Sequence, residues 1–357
     1  MAETESSSRT AATQAPVIFG CAGLQLTAQE RDFFTAVRPL GFILFARNCE
    51  EPAQIQELVQ SLKETAGHEN PLMLIDQEGG RVRRLQPPTW YDAPPAAVFA
   101  ALARRDVTRA REAAYLNAQL IAEELYALGI NVNCAPLADM PVAGSDDIIG
   151  DRAFGSDPAI VIALAQAVAD GLRSRGVWPV LKHIPGHGRA AVDSHKALPV
   201  VDAPLAELER TDIVPFRALH ALPLAMTAHI VYTALDDARA ATTSSVVIDY
   251  IREKIGFKGL LMSDDLSMQA LEGPMQARAR ATWQAGCDVV LHCNGEMAQM
   301  QAVAEALDAA PVQSAGMTAL AVPPVRSDDG WDVAKARARL AECMQGVTCE
   351  KGGDIVA

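Results

Sequence analysis

The strongest constraint on the fold is an alternation: a short apolar run followed by a helical pattern, eight times over. The runs are "PVIFGCAG" (16–23), "GFILFARN" (41–48), "LMLIDQEGG" (72–80), "INVNCAPLAD" (130–139), "WPVLKHIPG" (178–186), "PLAMTAHIV" (223–231), "GLLMSDD" (259–265) and "DVVLHCN" (288–294). Most are continuously apolar, as expected of strands covered on both faces in a parallel sheet. Between them, Thr27 and Glu30 form a T-x-x-E capping box that opens the first helix. Helical patterns follow at 51–66, at about 104–128 and at 159–175, the last behind the cap and early proline of Ser156-Asp157-Pro158. Pro204, Ser244-Ser245 and Pro274 mark three further starts, and an eighth pattern covers about 296–309. The expectation is an α/β chain folded as a (β/α)8 TIM-type barrel, with an open doubly wound sheet as the alternative, since alternation alone does not show closure.

No internal repeat or second domain is visible. A single catalytic domain is expected over 16–345, ending in a helix at 331–345, with a disordered tail at 1–15 and a C-terminal tail at 346–357. With half of its 357 residues hydrophobic, the chain can bury one large core. A net charge of −13 argues against nonspecific nucleic-acid binding, which needs a basic footprint. The N-terminal "MAETESSSRTAATQ" lacks the basic and apolar regions of a secretory signal. No apolar run reaches the ~18 residues of a membrane span. Seven cysteines show no C-x-x-C spacing, and Cys21, Cys49, Cys134, Cys287 and Cys293 lie in apolar runs, as reduced core thiols do. A cytoplasmic monomer with no membrane or nucleic-acid partner is expected.

Polar chemistry collects at the ends of the runs. Asp76, Glu78, Arg81 and Arg84 follow the third, Asp139 ends the fourth, Lys182 and His183 the fifth, His229 the sixth, and Asp264 and Asp265 the seventh. In a barrel these ends share one mouth, where active sites sit. Buried charges are costly unless paired or wetted, so several together call for a common polar site. In "DQEGGRVRRL" the glycine pair permits a tight turn, and Arg81, Arg83 and Arg84 bring guanidinium forks near it, although Arg83 also reads as a solvated turn residue. Asp151-Arg152, ahead of a helix, reads as a salt-bridged cap or a substrate clamp. Spacing does not choose a nucleophile or base between Asp264 and Asp265, and a capping role suits Asp265. "KHIPGHGRAAVDSH" (182–195) holds three of the seven histidines and suits either a metal or proton transfer.

Together, "DQEGGRV", "GDRAFGSDP", "KHIPGHG…DSH…LP" and "GF-G-…SDDLSM", in that order over about residues 16–310, resemble glycoside hydrolase family 3, specifically its single-domain β-N-acetylglucosaminidases of cell-wall recycling. The resemblance implies a barrel enzyme that removes terminal β-linked N-acetylglucosamine (GlcNAc) with retention of configuration. The implied substrates are peptidoglycan fragments such as GlcNAc-1,6-anhydro-N-acetylmuramic acid, with or without peptide. It implies Asp264 as nucleophile with Asp265 in support, and His195 as general acid/base with Asp193 as its dyad partner on a mobile loop. It places Asp76, Arg84, Arg152, Lys182 and His183 at sugar-binding positions and gives His187 a loop-shaping role. No metal or organic cofactor is implied.

The chemistry is coherent. A retaining glycosidase needs a nucleophile at the anomeric carbon and an acid at the leaving oxygen, and histidine titrates near neutrality, so it can give and later take a proton. The loop glycines and small residues suit closure over sugar. Three alternatives remain on the same fold. A β-N-acetylglucosaminide phosphorylase would replace water by phosphate. A metal-dependent barrel hydrolase would use His183, His187, His195, His229 and Asp264 as ligands, against the repulsion of Lys182 and the arginines. A noncatalytic sugar binder would have no need of Asp264, Asp193 and His195. An acetamido-assisted route, with Asp264 and Asp265 as the orienting pair, is the mechanistic alternative.

Overall fold

The computed structural model describes residues 14–308, 310, 318–320, 323–327 and 330–347. Eight parallel strands close into a barrel: β1 (Ala15–Gly20), β2 (Pro39–Leu44), β3 (Leu72–Ile75), β4 (Val132–Asn133), β5 (Trp178–Ile184), β6 (Leu224–Thr227), β7 (Leu260–Asp265) and β8 (Val289–His292). Each expected run supplies one strand. Closure is made by β1 against β8, with Val17 opposite Val290 and Phe19 opposite His292, which removes the open-sheet alternative.

The continuous apolar runs follow from burial on both strand faces. Ile18 points into the barrel beside Leu74, Val180 and Met262, while its neighbours Val17 and Phe19 pack outward against the helical layer. That layer includes α1 (Ala28–Val37), α2 (Pro52–Ala66), α3 (Val107–Ala127) and α4 (Pro158–Ser174). The Thr27–Glu30 capping box forms as expected, the Thr27 hydroxyl accepting from Glu30 N at 3.1 Å and the Glu30 carboxylate from Thr27 N at 2.9 Å. The later helices Ser245–Tyr250, Met275–Ala285 and Met297–Ala306 begin directly after Ser244, Pro274 and Glu296, and of these Ser244 caps its helix by accepting from Val247 N.

β4 is shorter than its apolar run. Pro136 has no N–H for the ladder, so regular pairing stops, yet the chain stays beside β5 through Lys182 N to Pro136 O (3.1 Å) and Ala138 N to Lys182 O (2.8 Å). That extension carries Asp139 to the mouth. β1 begins at Ala15, so the strand takes one residue assigned above to the N-terminal tail; residues 1–13 and 348–357 of the expected tails lie outside the described residues. The expected terminal helix is Val333–Cys343, and Arg339 ties it to Glu112 of α3. No helix among the described residues is long and apolar enough to cross a membrane.

Candidate active site

At the C-terminal ends of the strands lies a cavity of about 310 Å³. Seven of the eight residues singled out above line it: Asp76, Arg84, Arg152, Lys182, His183, His195 and Asp264. The eighth, Asp193, is bonded to His195.

One wall is a compensated charge network. Asp76 takes Arg84 Nη2 and Lys182 Nζ, each at 2.9 Å. Glu78 takes Lys182 Nζ at 2.7 Å and both Nε and Nη2 of Arg152 at 2.9 Å. Burial pushes the Asp76 carboxyl up, but Lys182 and Arg84 outweigh it and hold it well below the usual carboxylate range. Burial likewise works against charge on Lys182, and Asp76 and Glu78 reverse it, holding the ammonium above its usual value. Arg84 reaches Asp76 because the chain turns back at Gly79 (φ +102°), where a Cβ would lie 2.5 Å from the Pro94 carbonyl oxygen. The Gln77 side chain fixes that turn by accepting from Arg84 N and Leu85 N. The neighbouring arginines do other work. Arg81 pairs with Asp151 at 2.8 Å and donates to Ile148 O, holding the loop ahead of Arg152. Arg83 pairs with Asp92.

The second wall is organised by Asp139. Its carboxylate accepts from His183 N (3.1 Å) and His187 N (2.6 Å), and it bonds His183 Nδ1 at 2.7 Å. Burial opposes that charge, yet the His183 ring and these bonds lower its pKa to about 2. The glycines of "PGHG" serve close approach: a Cβ at Gly188 would lie 1.9 Å from the Met140 carbonyl oxygen. Close approach to Met140 therefore requires glycine at position 188.

His195 is exposed at the rim. Its Nδ1 lies 2.8 Å from Asp193 Oδ1, which also accepts from His195 N at 2.9 Å. Asp264 is half-buried at the end of β7. Burial pushes its carboxyl up, but His229, His183, the Asp265 amide and His195 together hold it below the ordinary value. An ionised carboxylate and an imidazole–carboxylate pair thus share one cavity. The two adjacent aspartates differ. Asp265 accepts from Ser267 N and Cys293 N, each at 3.0 Å, so it caps a turn and ties β7 to the end of β8. The next helix starts only at Met275, so Asp265 is not the helix cap that its position suggests.

Residues 23–321 match the glycosyl hydrolase family 3 N-terminal domain. The chain belongs to glycoside hydrolase family 3. Among family relatives, the β-hexosaminidase of Alkalilimnicola ehrlichii is 37% identical over 344 residues, covering 95% of this chain and 96% of its own. That of Thioalkalivibrio sulfidiphilus is 40% identical over 302 residues, covering 83% and 85%. The fold matches that of NagZ from Neisseria gonorrhoeae, solved in complex with N-trifluoroacetyl-D-glucosamine. The TM-score is 0.81 and the identity 30%, over 93% of this chain and 99% of that one.

In this family 3 barrel, sequence reasoning placed Glu78 and Asp139 at strand ends but gave them no task, and it passed over Ser194, whose hydroxyl bonds His187 Nε2 at 3.0 Å. Their signal was the motif itself: Glu78 sits inside "DQEGGRV" and Ser194 inside "DSH". His229, one of the residues a metal site would need, has Nδ1 on Thr242 Oγ1 (2.7 Å) and Nε2 on Asp265 O (3.0 Å). Among the described residues no group of three His, Cys, Asp or Glu is placed to hold a metal ion.

Proposed function

We propose that this enzyme releases terminal β-linked GlcNAc from peptidoglycan fragments, GlcNAc-1,6-anhydro-N-acetylmuramic acid with or without peptide, by a retaining route through a glycosyl–Asp264 intermediate. The chain is a β-N-acetylhexosaminidase glycoside hydrolase, in line with its relatives. The observation that carries this proposal is Asp264, held ionised in the same cavity as the exposed His195–Asp193 pair.

In the first step an Asp264 oxygen attacks the anomeric carbon. The bond to the leaving oxygen breaks, and His195 gives that oxygen its proton. In the second, water attacks the same carbon, the bond to Asp264 breaks, and His195 takes the water's proton. Two inversions give retention. Asp193 orients the imidazole and stabilises its protonated form. Asp76, Arg84, Arg152, Lys182 and His183 hold the sugar as acceptors and donors for its hydroxyls and acyl group. The commitment of Asp265 to Ser267 and Cys293 favours direct attack over an acetamido-assisted route, which needs a second free carboxylate. The hexosamine analogue in the gonococcal structure supports a GlcNAc unit in the cavity, and the cell-wall aglycone rests on the family resemblance. A cytoplasmic site of action belongs to the proposal, and the six described cysteines, all free, suit it.

The test is trapping with a 5-fluoro-N-acetylglucosaminyl fluoride followed by peptide mapping. An adduct on Asp264 is expected, and an adduct elsewhere or none overturns the nucleophile. Product analysis follows on GlcNAc-1,6-anhydro-N-acetylmuramic acid against chitobiose, in phosphate buffer. Free GlcNAc, released faster from the anhydro substrate, is expected. Preference for chitobiose overturns the substrate, and a sugar 1-phosphate overturns hydrolysis.

A further inference from the structure

Between residues 191 and 198 the dyad loop is largely exposed, and Ser194 is its one buried residue. Ser194 stands between Asp193 and His195 and is held on two sides. Its Oγ bonds His187 Nε2 at 3.0 Å, and its carbonyl accepts from Ala270 N at 3.2 Å. His187 is itself fixed by the bond from its amide to Asp139. Ala270 lies on the turn that follows Asp264 and Asp265. Ser194 therefore joins the acid/base loop to both the histidine wall and the nucleophile's loop.

The His187 ring is suited to a fixed contact. It is 3% exposed, and its Nδ1 is buried without a hydrogen-bond partner among the described residues. Adding a proton there would create a buried donor with no acceptor. Burial first, and then the nearby His183, lower its pKa to about 4, so the ring is neutral near pH 7. Its hydrogen bond to Ser194 then does not change with the proton traffic at His195.

We propose that the His187–Ser194 hydrogen bond is the latch that sets His195 in position for proton transfer, so that His187 and Ser194 are positioning residues of the reaction. This rests on the reading of His195 as the acid/base. It goes beyond it by assigning the placement of that histidine to two residues that do not transfer protons.

The test compares kcat/KM on phenyl and 2,4-dinitrophenyl N-acetylglucosaminides. The phenyl group needs an acid to leave and the dinitrophenyl group does not. The primary variant is Ser194→Cys, which keeps the side-chain size and weakens the bond; Ser194→Ala and His187→Ala remove it. Each should lose about tenfold to a hundredfold on the phenyl substrate, since small misplacements of a catalytic group have effects of that order. Each should stay within about threefold on the dinitrophenyl substrate. His187→Gln, whose amide nitrogen reaches near the position of Nε2, should recover most of the phenyl loss. Equal losses on both substrates in Ser194→Cys, or no loss on either, overturns the latch. His195→Ala is the control on the underlying reading. If it loses equally on both substrates, the acid/base assignment fails, whatever the Ser194 variants do. If it shows the split and Ser194→Cys does not, only the latch fails.

Discussion

Glu78 and Arg152 meet through two 2.9 Å hydrogen bonds, and the same carboxylate takes Lys182 at 2.7 Å. The side chains of Glu78 and Arg152 are 8% and 9% exposed, so the pair is nearly dry. Without Glu78, Arg152 loses this carboxylate and Lys182 keeps Asp76 as its one carboxylate partner among the described residues. Breaking a buried pair from one side costs about 3–5 kcal/mol, mostly as the uncompensated charge left behind. Glu78→Ala should lower the unfolding free energy by about 3 kcal/mol in urea titration and raise KM. Arg81→Ala breaks a pair with Asp151 that is 44% exposed on each side, and should cost about 1 kcal/mol or less. A Glu78 effect no larger than the Arg81 effect would contradict the buried-network account.

Asp264→Ala should reduce turnover by about 10⁴-fold or more, the scale seen when a covalent nucleophile is removed. The circular dichroism spectrum and the cooperativity of unfolding should be unchanged, because Asp265, not Asp264, ties β7 to β8 through Cys293 N. Substantial activity in Asp264→Ala, with no contaminating hydrolase, would return the acetamido-assisted route.

The arginines after β3 should separate by kinetics. Arg84 lines the cavity and holds Asp76, and its guanidinium stacks on Phe45 at 4.9 Å. Arg84→Ala should raise KM by roughly tenfold to a hundredfold, as expected for loss of a charged hydrogen bond worth about 1.5–3 kcal/mol. Arg81 reaches the site only through the loop it holds, so Arg81→Ala should change KM by about threefold or less. Steady-state kinetics on a single chromogenic substrate decides the point, and the reverse order would refute it.

These arginines show where the sequence is legible and where it stops. The eight strands were readable because burial on both faces writes itself as unbroken apolar runs, and Ile18 with Val17 and Phe19 is one such run seen from both sides. The gathering of Asp76, Lys182, His183 and Asp264 was readable because charge at strand ends has one place to go in a barrel. Pairing was not. Arg81, Arg83 and Arg84 are near neighbours in one motif, and only the turn at Gly79 decides that Arg84 faces the cavity while the others bind Asp151 and Asp92. Asp264 and Asp265 likewise differ through the backbone amides each meets, which no residue type records. The length of β4 was overestimated because an apolar run does not show that Pro136 interrupts its ladder.

The buried His187 makes a prediction about acid stability. Its ordinary pKa is 6.5, and in the fold it is lowered to about 4, through burial first and then the neighbouring His183. Well above pH 6.5 neither folded nor unfolded chain carries the proton, and the contribution is zero. Between 6.5 and 4 the unfolded chain binds the proton and the folded chain does not, so stability falls as pH falls. Below about 4 both states bind it and the loss is complete, on the order of 3 kcal/mol. Burial also lowers the pKa of His229 and His292, which adds loss of the same sign. His187→Gln should therefore flatten the decline in the urea midpoint between pH 7.5 and pH 4.5 without abolishing it. It should do so while keeping the bond to Ser194, because its amide does not titrate. A decline in His187→Gln that runs parallel to the wild type across this range would mean that the folded ring takes up its proton as readily as the unfolded one, and that burial does not hold it neutral.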